Sequence, residues 1–148
     1  ADKRPHHWHD TPMSILSRFF DLFKTIPNPV SPRPLPDGKL RLHFLSGDFD
    51  NEAAAKSYCF DAEGDAPEQI TFDQPSAFID TGFVEVAFQN AHDRLIEFLP
   101  PKQVRKIQSK MKGANTLIII TEDAFCGFPY AMVSTKRLTY HNPIVVDV

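Results

Sequence analysis

The chain has 148 residues, 42% hydrophobic and 24% charged, with thirteen Phe against one Trp and three Tyr and a net charge of −3. A domain of this size buries roughly two-thirds of its unfolded surface, so a core can form without disulfide or metal staples. No apolar run approaches the ~18 residues of a membrane span, and the polar first twelve residues, with His6, His7 and His9, do not read as a secretory signal.

Met13 resembles a natural start, so residues 1–12 are expected to be a tag or an upstream extension. Residues 13–26 carry Ile15, Leu16, Phe19, Phe20, Leu22, Phe23 and Ile26 at helical spacing, an amphipathic helix with Ser14 as N-cap. Pro27, Pro29, Pro32, Pro34 and Pro36 forbid helix and central strand, which makes 27–38 an extended connector ended by Asp37-Gly38.

The remaining residues, 39–148, are expected to form a single α+β domain. Residues 39–45 alternate Leu40, Leu42 and Phe44 with Lys39, Arg41 and His43, a strand with His43 on its exposed polar side. A helix over 51–58 follows, with Asp50 as N-cap and Glu52 at the positive end of its dipole. The acidic, Gly- and Pro-containing stretch 61–68 reads as a surface loop. Beyond it come a short strand over 69–72, a helical turn over 76–80, and a strand over 83–88. A helix over 93–99 capped by Asp93 precedes a basic helix over 102–112, with Val104, Ile107 and Met111 inward and Gly113 at its end. Leu117-Ile118-Ile119-Ile120 marks a central strand over 116–121. Strands over 130–134 and 136–140 follow, His141-Asn142-Pro143 reads as a turn, and 144–148 adds an edge. The order predicts an antiparallel or mixed sheet flanked by helices.

Catalytic and cofactor signatures are thin. The chain has no phosphate-binding loop, dinucleotide fingerprint or Gly-x-Ser-x-Gly elbow, and its six glycines leave none for a Gly-rich cradle. His92-Asp93 is a conceivable general base, but a helix start accounts for it better. Cys59 and Cys126 fit no ligand spacing and are expected to be reduced, partly buried thiols. Asp80 and Glu85 are candidates for a carboxylate pair. The loop Asp61-Ala62-Glu63-Gly64-Asp65 lacks the twelve-residue register of a calcium loop. No catalytic residue, metal or cofactor is therefore assigned; a small hydrolase or transferase using His92 or Cys126 stands as an alternative. The basic helix has no interleaved aromatics, which argues against direct nucleic-acid contact. With Arg18, Asp21 and Lys24 as its charges, helix 13–26 suits a membrane poorly, and docking on a partner as an adaptor is another alternative.

The charge distribution is more informative than its sum. Residues 48–97 hold twelve Asp and Glu against Lys56 and Arg94, a balance of −10, while 98–112 hold five cations and no acid. A negative face attracts a cationic partner and speeds encounter, and a nuclease, whose groove is built for phosphate, is one such partner. Plain solubility explains the excess equally well.

The segment from Leu42 through Phe44, Gly47, Asp48, Phe49, Asp50 and Ala53 to Tyr58 resembles the opening of the immunity protein 22 family of bacterial polymorphic-toxin and contact-inhibition systems. The stretch 78–88, with Asp80, Phe83, Val84 and Glu85, resembles that family's acidic second strand, and 115–123 its later apolar strand. Where the family carries Trp-x-Gly, this chain reads Phe44-Leu45-Ser46-Gly47, and the resemblance spans about residues 40–125. It implies a cytoplasmic bacterial antitoxin that binds a cognate toxin, commonly a nuclease, and has no catalytic residues of its own. The expected toxin-binding surface comprises Asp48, Asp50, Glu52, Asp61, Glu63, Asp65 and Glu68.

Overall fold

The computed structural model describes residues 34–148, so the expected tag, the amphipathic helix 13–26 and most of the connector lie outside the described residues. Four strands, β1 (Lys39–Gly47), β2 (Val84–Phe88), β3 (Thr116–Thr121) and β4 (Leu138–Asp147), form one antiparallel sheet in the order β2-β3-β1-β4. The helices are α1 (Glu52–Phe60), α2 (Gln69–Asp73), α3 (Ala91–Leu95) and α4 (Pro101–Met111), with 3-10 turns at Thr81–Phe83 and Glu122–Phe125. This is a single α+β domain. Among the described residues no helix is long and apolar enough to cross a membrane.

Both faces of the sheet are covered, and that decides how β1 and β3 must be read. Leu45, Ile118, Ile120 and Leu138 pack with Ala55, Tyr58 and Cys59 of α1, Ile70 of α2 and Phe125. On the other face Leu42, Phe44, Leu117, Ile119 and Val146 pack with Leu95, Leu99, Val104, Ile107 and Met111 of the α3–α4 side. A strand buried on both faces needs a continuous apolar run, which β3 supplies. In β1 the alternation suggested one wet face. Instead His43 has no exposed surface and Arg41 is half-buried.

Several local expectations need correction. Residues 69–72 form helix, not strand, because Gln69 donates to Asp73 across one turn at 2.9 Å and only Ile70 is buried; Phe72 is 70% exposed. The helical turn expected over 76–80 forms instead at Thr81–Phe83, where the Asp80 carboxylate accepts from Gly82 N at 3.0 Å. The cap of α1 is Asn51, whose Oδ1 accepts from Ala54 N at 2.7 Å, and Asp50 stands one residue outside. Asp93 likewise lies in the first turn of α3, after Asn90.

The C-terminal third differs most. Residues 130–134 are not a strand: the buried Gln74 amide accepts from Val133 N at 2.9 Å and donates to Val133 O at 2.7 Å, taking the place of a neighbouring strand. The turn expected at 141–143 is inside β4, where Leu42 pairs with Ile144 but Phe44 with His141. Asn142 and Pro143 thus stand opposite His43 in a bulge, and a proline with no N–H is tolerated because β4 is an edge strand.

Candidate functional site

The seven acidic residues singled out by the sequence fall into two groups, one at each end of α1. Asp48, Asp50 and Glu52 surround its start, whereas Asp61, Glu63, Asp65 and Glu68 follow its last turn. Nine residues of helix span about 13 Å, beyond the ~8 Å screening length at physiological salt, so the groups act as separate fields.

The second group is the plainer. Asp61, Glu63 and Asp65 are exposed and make no ion pair among the described residues. Ala66 N donates to Glu63 O at 2.9 Å, closing a turn in which Gly64 takes a φ of 58°, a conformation that favours glycine. The loop is held at both ends, where Asp61 N caps α1 on Ser57 O and the Tyr58 hydroxyl donates to Asp73 of α2 at 2.8 Å. Glu68 is half-buried and accepts from the Thr71 hydroxyl at 3.2 Å.

The first group borders cations. A groove of about 770 Å³ opens between the start of α1, the end of α4 and the start of β4, lined by Asp48 and Asp50 but also by Lys110, Lys112, Lys136 and Arg137. Its architecture depends on two residues that composition did not single out. Asn115 extends the β1–β3 ladder with its side chain, Oδ1 accepting from Phe49 N at 3.0 Å and Nδ2 donating to Phe49 O at 2.8 Å. Asp48 is engaged there as well, accepting from Asn115 N at 3.0 Å. At Gly47 a Cβ would stand 2.4 Å from the Arg137 carbonyl oxygen and 2.7 Å from Leu138, so only glycine lets β1 close on the segment that carries Arg137. Glu52 pairs with Lys56 one turn on, at 3.5 Å.

Residues considered for catalysis are dispersed. His92, on α3, bonds Gln108 at 2.9 Å; Cys126 follows the Glu122–Phe125 turn, whose Ala124 and Phe125 pack on the opposite face. Cys59 is buried as expected, but Cys126 is exposed, and slight burial with nearby Asp80 and Asp123 pushes its thiol up, away from the nucleophilic thiolate. Glu85 does not pair with Asp80. It takes both prongs of the Arg94 guanidinium, which also reaches Glu97. Among the described residues no group of three or more His, Cys, Asp or Glu could hold a metal ion.

A buried polar network on the α1 face was not legible in the sequence. Glu122, 12% exposed in its side chain, accepts from Arg41, from His43 Nε2 at 3.1 Å and from the Tyr130 hydroxyl at 2.5 Å. A carboxylate only accepts, so Nε2 carries the His43 proton and Nδ1 accepts from the Tyr140 hydroxyl at 2.8 Å. Burial pushes the His43 pKa down although Glu122 opposes it. Partial burial raises the Glu122 pKa, but hydrogen bonds from Tyr130, His43 and Arg41 outweigh it and hold the carboxyl below its usual range. On the other face buried His141 bonds Ser46 through Nε2 at 2.7 Å, and its Nδ1 has no partner among the described residues. Ser46 lies in a central strand whose neighbours on both sides are paired, so its backbone offers no oxyanion site beside that contact.

Comparison with protein-family models, curated proteins and solved structures finds no match.

Proposed function

We propose that the chain is a bacterial immunity protein, a non-catalytic inhibitor that docks on a basic toxin domain of nuclease class in the cytoplasm. The observation that carries this reading is the loop 61–68: three exposed carboxylates, Asp61, Glu63 and Asp65, have no cation against them among the described residues. Ends tied to α1 and α2 hold the loop in place, so little ordering entropy is lost when a partner binds. A basic active-site groove built for phosphate is the complementary surface. Asp48, Asp50 and Glu52 form a second border, more than a screening length away, where partner register would be set.

The test is protection of cells that express a basic, nuclease-class toxin domain, the candidate being any such domain found encoded next to this gene. Reversal of the loop charges, Asp61→Lys with Glu63→Lys and Asp65→Lys, should abolish protection and slow association at least tenfold at low salt while the domain stays folded. Full protection by that variant would sink the reading.

A further inference from the structure

Four cations from two separate segments converge on the groove beside α1: Lys110 and Lys112 at the end of α4, and Lys136 and Arg137 before β4. None makes an ion pair among the described residues, although Asp48 and Asp50 line the same groove and Asp48 is committed to Asn115 N. Arg137 is oriented without a carboxylate. Its guanidinium lies over the rings of Phe49 and Tyr58, 5.3 and 5.5 Å from their centroids, which orients the fork, and among the described residues its N–H donors have no hydrogen-bond acceptor. Lys112 ends α4 at a φ of 53°, the left-handed conformation that commonly closes a helix, and Gly113 follows at 80°. Exposed Thr139 also lines the groove, whereas the Ser46 hydroxyl beneath it is taken by His141 Nε2 at 2.7 Å.

The geometry points to a binding site for a compact phosphoryl group, free phosphate or a small phosphate ester, on Lys112, Lys136 and Arg137. Planar Arg with flanking Lys is the donor set that phosphate oxygens take. An extended polyanion is the wrong ligand. A nucleic-acid strand or acidic peptide following the groove would run past Asp48 and Asp50, whereas a small ester can place its phosphate on the cations and offer sugar hydroxyls or amino groups to those carboxylates. The volume, about 770 Å³, is in the range of small-molecule clefts. The cations of the site lie outside the loop 61–68, whereas Asp48 and Asp50 are shared with the second border of the proposed toxin surface.

The test uses the full chain, ¹⁵N-labelled, titrated with sodium phosphate, with adenosine monophosphate, and with sodium chloride at matched ionic strength. Saturable shifts at Gly47, Lys112, Gly113 and Arg137 amides are expected with the phosphates and not with chloride. Tighter binding of the nucleotide identifies an ester as the ligand, and equal binding identifies free phosphate. The double variant Lys112→Gly with Lys136→Gln should weaken binding at least tenfold; Lys112→Gly relieves the left-handed backbone, so misfolding does not account for a loss. Shifts that match chloride, or affinity unchanged in the double variant, overturn the proposal. So does tighter binding of a single-stranded oligonucleotide or a hexaglutamate peptide than of the nucleotide.

Discussion

The two faces of the sheet are built from the same strands, yet they are held by different forces. On the α3–α4 face, Phe44, Leu117 and Ile119 meet Leu95, Val104 and Ile107 in an apolar cluster, with the buried His141–Ser46 pair beyond it. On the α1 face the apolar cluster surrounds an ionisable centre, Glu122 with Arg41, His43 and Tyr130, which ties β1 to the turn after β3 and, through Tyr140, to β4. The difference shows that alternation along a strand reports side-chain polarity, not exposure. Arg41 and His43 alternate with apolar residues because their face has a buried polar network to join.

Three changes would break or sharpen this contrast. The largest effect belongs to the apolar face: Phe44→Ala removes a ring with no exposed surface and should cost about 4 kcal/mol, equally at pH 7 and pH 5, by denaturant unfolding. On the polar face, Glu122→Ala leaves Arg41 and His43 without their acceptor and should cost about 3 kcal/mol at pH 7. That cost should shrink below pH 4.5, the ordinary value from which the Glu122 pKa is lowered, because the wild type also loses this contribution as pH falls through the folded value. A penalty as large at pH 3 as at pH 7 would show that the network acts by packing alone. The smallest effect is the approach to that window. His43 and His141 have pKa values lowered from 6.5, chiefly by burial, so both are neutral in the fold while the unfolded chain takes up protons. Their contribution is full above pH 6.5 and is lost as pH falls through the folded values, so the unfolding midpoint should begin to drop below pH 6.5. His43→Phe should flatten only the part due to the α1 face.

Much of the fold was legible because it rests on local chemistry. The strand over 116–121 matches β3, the α+β class follows from element order, and the Lys102-to-Lys112 helix needs only Val104, Ile107 and Met111 at one spacing. The acidic loop was equally visible, since Gly64 and Pro67 between carboxylates suit no regular element. The missing parts are those in which a side chain replaces a backbone partner. Gln74 stands in for a strand against Val133, and Asn115 extends a ladder beside Phe49, so neither 130–134 nor the groove could be placed from periodicity.

The sequence by itself determined where charge accumulates: twelve carboxylates within 48–97 and five cations within 98–112 are properties of composition, unaffected by packing. Only the tertiary structure decided which charges share a surface. Helix α1 separates the acids into two fields, and closure of β1 on the start of β4 at Gly47 brings Arg137 and Lys136 beside Asp48 from about ninety residues away. Charge is carried by the residue, but a field is set by distance, and distance here is fixed by an antiparallel register that no local pattern encodes.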